Sequence, residues 1–555
     1  MKDSNENNEK KSQAQRLIDI AKMAALFVDA EATAWADFRQ NGHRIITPVK
    51  SREFRSWLRE MYYATEGKPP SSQPFSDAIN QIEARALYDR FTADVHLRFG
   101  TDQYGTHYMD IGNHVILRMT PSGWDWDDEA FVEGVRFWRP AGYLPIALPE
   151  VDPNIEALRP FLNIRTDDDF VLVVAWLLTA MNPAVPTPIL TLQGEQGSAK
   201  STTARLIRSV IDPSEVPLRP APRDERDLYI AGKRNAVMIL DNLSGLKPWL
   251  SDSLCRICTG GGFSTRRLYS DDDEIVINLK RPVILNGIDA IATRGDLMDR
   301  SIVLDLPAIP PGKRVDEEEF WSNFNKARPA ILAGLLDGYV SGLANQGKIR
   351  LPGLPRMADF AKWTAGCEKA YDWPTGTILN AYRVNRGQAV EAGLDADITA
   401  TAIRSIMADR DKWQGTATEL VQAIRSASPD GISDKLMPTT RGIKNNLARL
   451  APALRETGIE WEQFRDNTGR YYEIRKSLKT LSPLSPSSQP LATNGLERDT
   501  SRDTKSEGEN VVTTSSPRKS LGDNAGDTSD TSDTKKQSFL SEVDERGYPA
   551  SWDEV

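Results

Sequence analysis

A lysine and a hydroxyl residue standing side by side behind a glycine-rich turn carry the clearest chemistry in this chain. Residues 194–203 read Gly-Glu-Gln-Gly-Ser-Ala-Lys-Ser-Thr-Thr. The apolar run 188–193 precedes them, and a helical pattern over 200–210 follows. Strand, loop and helix start is the arrangement that cradles phosphate. Backbone N–H groups converge in the loop, and the helix dipole adds partial positive charge. The expected nucleotide contacts are Gly194, Glu195, Gln196, Gly197, Ser198, Ala199, Lys200, Ser201 and Thr202. Lys200 would reach the β- and γ-phosphates of ATP, and the Ser201 hydroxyl would ligate Mg²⁺. The pattern asks for glycine at 199, and Ala199 fits there if its φ is negative.

Downstream pieces extend this chemistry. Residues 235–242 read Asn-Ala-Val-Met-Ile-Leu-Asp-Asn, a buried parallel strand tipped by Asp241. Such a strand end delivers a carboxylate to the Mg²⁺ shell beside the loop. Residues 281–287, Arg-Pro-Val-Ile-Leu-Asn-Gly, form a second buried strand, tipped by Asn286. Between them, a helix runs into Thr-Gly-Gly-Gly-Phe at 259–263 and then Arg266 and Arg267. The turn 271–273 and the run 274–279 complete an expected hairpin. Residues 294–307 carry Arg300 into one more strand.

These elements need a frame, and 555 residues with 39% hydrophobic content supply several domains. The cysteines, Cys255, Cys258 and Cys367, do not make a disulfide scaffold. Cys255 and Cys258 read as small buried residues rather than zinc ligands, with four histidines in the chain and none near them. The apolar run 170–181 is too short to cross a bilayer, and residues 1–12 contain no apolar signal segment. The expected setting is reducing and cytoplasmic, without membrane contact. Formal net charge is −9, and about half of that excess lies in the C-terminal tail.

The expected architecture is α/β. Residues 1–12 are expected to be disordered. Residues 13–150 read as an α+β domain with helices over 16–28, 51–64 and 73–87. Its strands are expected at 33–39, 43–49, 95–99, 107–111, 114–119 and 135–138. The nucleotide core follows over 151–310, and a helical lid or linker over 311–410, with a helix at 316–343. Residues 411–476 give helix, helix and a two-stranded hairpin, the pattern of a winged helix. Its second helix turns Arg441, Lys444, Asn445 and Arg449 outward, as a DNA-reading helix would, although a solvated charged face gives the same pattern. The acidic Ser/Thr-rich segment 477–555 is expected to be disordered.

The order of pieces resembles the superfamily 3 helicases of viruses, phages and plasmids, which are AAA+ P-loop ATPases. The resemblance is firmest over 186–310. It implies ATP and Mg²⁺ as cofactors, a homo-oligomeric, hexameric ring, and ATP-driven translocation or unwinding of DNA in mobile-element replication. It makes Lys200 and Ser201 the Walker A pair and Asp241 the Walker B acid. Asn286 becomes the residue that orients the attacking water. Arg266 and Arg267 fall on a hairpin facing single-stranded DNA in the ring pore, and duplex would lie at the winged helix. Arg300 becomes the finger reaching the neighbouring subunit's γ-phosphate. Asn242 stands where many relatives carry a second catalytic carboxylate.

Two other functions fit the same residues. One is a regulatory or defence NTPase that switches without unwinding. The other is a DNA-binding protein with a vestigial nucleotide site. Ala199 and Asn242 favour these, while Arg300 and the basic hairpin favour the motor. The plain alternative for Arg300 is a surface pair with Asp296 or Asp299.

Overall fold

The computed structural model describes residues 11–477 except 90, 130–131, 133, 151, 267–273, 288–290, 292–293, 430–436 and 466–468, with backbone only at 263–266 and 274–277. The expected disorder of residues 1–10 and of the tail from 478 therefore lies outside the described residues, as do Arg267 and the turns 271–273 and 466–468.

The chain opens with α1 (Gln13–Ala21), β1 (Ala25–Val28), β2 (Ala34–Gln40), β3 (His43–Pro48), α2 (Arg52–Glu66) and α3 (Ser72–Asp89). Ser12 caps α1 by accepting from the Gln15 amide at 3.1 Å. The helix expected over 16–28 ends at Ala21, because Ala25–Val28 pairs antiparallel with β2. Backbone pairing with a neighbouring strand outweighs helical propensity there. Next come β4 (Phe99–Thr101), β5 (His107–Gly112), β6 (Val115–Thr120) and β7 (Gly123–Asp128), one antiparallel sheet in that order. Strand β7 was not expected. The expected strands at 95–99 and 135–138 reduce largely to a single bridge between His96 and Phe137.

Helix α4 (Asp167–Ala180) follows. Thr166 and Asp169 cap it reciprocally, and every residue from Phe170 to Ala180 is buried. A helix apolar on all sides belongs inside a core. No helix among the described residues is long and apolar enough to cross a membrane.

The central layer is built from β8 (Ile189–Gln193), α5 (Lys200–Ile211), α6 (Glu225–Lys233), β9 (Met238–Leu243), α7 (Pro248–Thr259), β10 (Gly261–Arg266), β11 (Glu274–Leu279), β12 (Val283–Gly287), α8 (Gly295–Met298) and β13 (Ser301–Asp305). β8, β9, β12 and β13 form a parallel sheet in the order β13-β8-β12-β9. β10 and β11 pair as the expected hairpin.

Helices α9 (Glu317–Asn345), α10 (Ala358–Cys367), α11 (Thr377–Asp395) and α12 (Ile398–Ala408) come next. Asp316 caps α9, and Glu317, Glu318 and Glu319 in its first turn suit the helix dipole. The last elements are β14 (Lys412–Thr416), α13 (Ala417–Ala427), α14 (Ile443–Glu456), β15 (Ile459–Arg465) and β16 (Arg470–Lys476). β16 lies between β14 and β15 in one antiparallel sheet.

The largest core joins β4–β6, α4, the parallel sheet, α5, α9, α10 and α11. Leu17, Phe38, Phe54, Trp57, Tyr62 and Ile82 belong to a separate cluster built from α1, β2, α2 and α3. The C-terminal cluster takes Ala400, Ile403 and Met407 of α12 together with Leu420, Leu447 and Ile474. Thus α12, read as part of the linker, packs with α13 and α14.

Candidate nucleotide site

Four buried residues, Ile189 to Leu192, bring β8 to the surface, where the chain turns at Gly194. Gly194 has φ 145°, and a Cβ there would stand 2.4 Å from the Leu306 carbonyl oxygen, so glycine is required. Gly197 follows at φ 82°. Ser198 is buried and donates to the Glu195 carbonyl at 2.9 Å. Ala199 has φ 58° and ψ 29°, the left-handed conformation. The condition under which alanine would fit this position without strain, a negative φ, is not met. The loop must reverse sharply before the first turn of α5, and alanine takes this backbone at a cost of about 1–2 kcal/mol.

Lys200 opens α5, and its Nζ donates to the Gly194 and Glu195 carbonyls at 2.9 and 2.8 Å. The ammonium therefore lies folded over the mouth of its own loop. Burial lowers its pKa below the ordinary lysine value, and the Asp241 charge works the other way.

Ser201 Oγ donates to Asp241 Oδ1 at 2.9 Å. Asn286 Nδ2 donates to Ser201 Oγ at 3.0 Å and also to Asp241 Oδ1. The strand order explains this meeting. β12 lies between β8 and β9, so its tip projects Asn286 between the start of α5 and the tip of β9. Asn242 turns elsewhere. Its φ is 55°, its side chain is exposed, and no hydrogen bond joins it to Ser201, Asp241 or Asn286 among the described residues. Asparagine adopts left-handed backbone more readily than most residues. The ladder is irregular at this point: Leu285 pairs with Leu240, but the next pair is Gly287 with Leu243, one residue out of register.

The loop is buttressed from outside by residues that the sequence did not single out. Asn163 Nδ2 donates to the Ser198 carbonyl at 2.9 Å and to the Pro307 carbonyl at 2.7 Å. The Ile309 amide donates to the Gly197 carbonyl at 3.2 Å. Arg314 Nη2 lies 3.6 Å from where a Gly197 Cβ would be. A cleft of about 470 Å³ beside the loop is lined by Arg165, Gln193, Glu195 and Asp305.

One buried carboxylate fixes the far ends of α5 and β9. Asp212 Oδ2 accepts from Arg208 Nη2 at 3.1 Å and from the Val237 amide at 3.0 Å. Its Oδ1 accepts from Arg98 Nε at 3.4 Å. Arg98 is buried, stacks 3.7 Å from the Tyr143 ring centre, and donates to the Asp110 and Leu144 carbonyls at 3.0 and 2.9 Å.

The other expected site residues are dispersed. Arg300 stands before β13 and pairs with Asp296, donating also to the Asp296 carbonyl at 3.0 Å. Arg356 shares Asp296 at 2.6 Å and reaches Asp299 at 3.2 Å. Arg266 ends β10 opposite Glu274. Arg441, Lys444 and Asn445 are exposed at the start of α14. Arg449 is bound to Asp397 at the cap of α12, so it does not offer the free cation expected of it. Cys255, Cys258 and Cys367 are buried free thiols, and no metal-binding cluster of His, Cys, Asp or Glu occurs among the described residues.

Residues 155–390 match the family of actinomycete integrative conjugative element replication proteins, and residues 399–514 match the C-terminal domain of the same replication protein, AICE RepA. The chain is a mobile-element replication protein. The first match contains the phosphate loop, Asp241, Asn286 and Arg300, and the second begins within α12. No curated protein matches the chain. Among solved structures, the chain is similar to the A form apo structure of the NrS-1 C terminal region. That likeness has 12% identity and a TM-score of 0.38, covering 84% of this chain and 100% of that one. A second apo structure, of NrS-1 residues 305–718, has 12% identity and a TM-score of 0.37, covering 84% and 100%.

Proposed function

We propose that the chain is an ATP-dependent DNA helicase or translocase that drives replication of its mobile element. One observation carries this reading. Ser201, Asp241 and Asn286 converge at the foot of a phosphate-type loop, each from a different element. The hydroxyl and carboxylate oxygens of Ser201 and Asp241 suit Mg²⁺, which prefers oxygen ligands. When bound, Mg²⁺ neutralises charge on the β- and γ-phosphates. The chain's own groups supply the rest. Loop amides and the start of α5 hold the phosphates, Lys200 leaves its carbonyls to meet them, and Asn286 orients the attacking water. Arg300 completes the neighbouring subunit's site in a ring, and the β10–β11 hairpin and α14 contact DNA. This is work for a protein of the cytoplasm, where ATP and the element's DNA are present.

The test is the rate of ATP hydrolysis by the full chain with and without single-stranded DNA. Hydrolysis stimulated by DNA supports the motor. ATP binding without turnover supports a regulatory NTPase, the reading that the outward-facing Asn242 favours. Absence of ATP binding removes both and leaves a vestigial site.

A further inference from the structure

The N-terminal edge of the parallel sheet borders a cavity of about 100 Å³. Thr187 stands just before β8, Ala236 just before β9, and Lys280 and Arg281 just before β12. Asn182, beyond the end of α4, lines it as well, with His96 and Arg98. Ser201, Asp241 and Asn286 meet at the opposite edge of the sheet. At about 3.3 Å per residue, β12 carries the chain about 16 Å from Arg281 to Asn286. The cavity is therefore separate from the phosphate loop.

Its side chains offer donors and almost no acceptors. No Asp or Glu lines it. Arg281 Nε donates to the Gly232 carbonyl at 3.0 Å and Nη1 to the Lys280 carbonyl at 2.8 Å, and Lys280 Nζ donates to the Ala184 carbonyl at 2.8 Å. Neither cation has an ion pair among the described residues. Burial lowers the pKa of both, and the charges of Asp212, Glu31 and Asp359 offset it only in part. Asn182 is 3% exposed, and its Oδ1 accepts from the Ala184 amide at 3.0 Å. Its Nδ2 has no hydrogen bond among the described residues, and neither has the hydroxyl of buried Thr187. A buried donor without an acceptor is costly, and two of them here flank two cations without a counter-ion. The space holds about three waters, or one tetrahedral oxyanion such as phosphate.

His96 and Arg281 also line a neighbouring cleft of about 480 Å³ between the β1–β3 sheet and α6. Trp35 and Trp138 meet there edge to face with centroids 5.3 Å apart, and Arg234 lies 6.0 Å from the Trp138 ring centre. Ring surfaces with a few polar groups make a small-molecule site of ordinary size. Glu31 is taken by Lys233, and Asp29 accepts from Trp35 Nε1 at 2.9 Å. Asp94, which has no ion pair among the described residues, is the acceptor left for a ligand's hydroxyl groups.

We propose that the two spaces form a second ligand site, for a nucleoside phosphate. Its phosphate fills the inner cavity against Arg281, Lys280, Asn182 and Thr187, and its base and sugar occupy the outer cleft beside Trp138 and Asp94. The same phosphate ester comes from a free mononucleotide or from the 5′ end of a DNA strand.

The full chain carrying Lys200→Ala, which keeps the phosphate loop out of the readout, is titrated by calorimetry with AMP, adenosine and inorganic phosphate. An oligonucleotide with and without a 5′-phosphate is titrated in parallel. AMP should bind at least tenfold tighter than adenosine or inorganic phosphate. Arg281→Gln should weaken AMP at least tenfold, the scale of a charge-assisted bond. Asn182→Asp keeps the acceptor for the Ala184 amide and should weaken AMP as much, because it sets a carboxylate against the phosphate. Thr187→Val should cost several-fold. If the 5′-phosphate strengthens oligonucleotide binding beyond that of AMP, and the same variants remove the gain, a strand end is the ligand; otherwise the free mononucleotide is. Failure of every probe to bind at millimolar concentration overturns the site. So does AMP affinity that is unchanged in Arg281→Gln and Asn182→Asp. Inorganic phosphate binding as tightly as AMP leaves the outer cleft unused and overturns the nucleoside assignment. If affinity falls only in Arg281→Gln, together with its melting temperature, Arg281 is structural and the proposal fails. Wild-type chain that binds no ATP would sink the motor reading and leave this site standing.

Discussion

Ser201 Oγ and Asp241 Oδ1 meet at 2.9 Å although 40 positions separate the two residues. The hydroxyl points at the carboxylate because α5 starts at the tip of β8, and β9 lies two strands away. Lys200, the preceding residue, faces the loop carbonyls instead. Replacing Lys200 with alanine should therefore leave Ser201 and Asp241 in contact and remove the cation alone. The expected result is loss of ATP affinity by about tenfold or more, the scale of a charge-assisted bond. Calorimetric titration measures the affinity and a thermal melt checks the fold. Unchanged affinity would refute the site.

Asp212 is expected to be the most costly single residue near the site. It is 5% exposed and receives Arg98, Arg208 and the Val237 amide. Asp212→Ala strands two buried guanidinium groups, at a cost of about 3–5 kcal/mol. Denaturant unfolding should show that loss. A change under about 1 kcal/mol would mean that water or other groups take over the charges.

The sequence displays the parallel sheet because buried parallel strands are continuous apolar runs, and a polar tip on such a run has few structural explanations. Val283–Gly287 and Ser301–Asp305 fall within the runs 281–287 and 294–307 read from sequence, and Met238–Leu243 passes the end of the run 235–242 by one residue. The supports are invisible there because their partners are distant. Asn163 acts on residues 35 and 144 positions away, and Arg98 acts on Asp212 across 114. No local pattern marks them. Strand β7 alternates Trp124 and Trp126 with aspartates, and its half-exposed faces hide it among turn-forming acids. Ala199 shows a further limit. The residue type is legible, but its φ of 58° is imposed by the loop closure.

Ala199→Gly should stabilise the fold slightly. Relief of the left-handed backbone is worth about 1–2 kcal/mol, and the extra freedom of glycine in the unfolded chain takes back about 0.4–1 kcal/mol. Ala199→Val should move the other way, since a β-branched residue tolerates positive φ poorly. Unfolding midpoints of the two variants, each compared with wild type, measure both effects. A valine variant as stable as wild type would contradict the backbone described for this loop.

The cysteines should resist modification in the native chain. Burial pushes the thiols of Cys255 and Cys258 up to about 12, and raises that of Cys367 as well. A thiol in that range is almost wholly protonated at pH 8, and the thiolate is the nucleophile. A colorimetric thiol reagent should find no fast-reacting group until denaturant is added. Rapid labelling of the native chain would show that α7 or α10 opens readily.

The last prediction concerns Arg300. In a single chain its guanidinium is held by Asp296, with 17% side-chain exposure. The Asp296 side of the pair is 49% exposed, so water screens it and Arg300 can be exchanged to a stronger partner. Departure of Arg300 would not orphan Asp296, because Arg356 binds the same carboxylate at 2.6 Å. The arrangement suits a residue that leaves its own chain for the next subunit's γ-phosphate. A guanidinium arriving there is worth about 10³-fold or more in rate in enzymes that use one. Arg300→Ala and Lys200→Ala chains should each be inactive. Mixed together, they should regain part of the DNA-stimulated hydrolysis, since some interfaces then pair an intact Lys200 with an intact Arg300. Arg300→Lys should restore little, because a point charge lacks the planar fork. If mixtures stay as inactive as their parents although oligomers form, Arg300 does not act in trans. If Arg300→Ala alone keeps full activity, its pair with Asp296 is structural and the finger must be sought elsewhere.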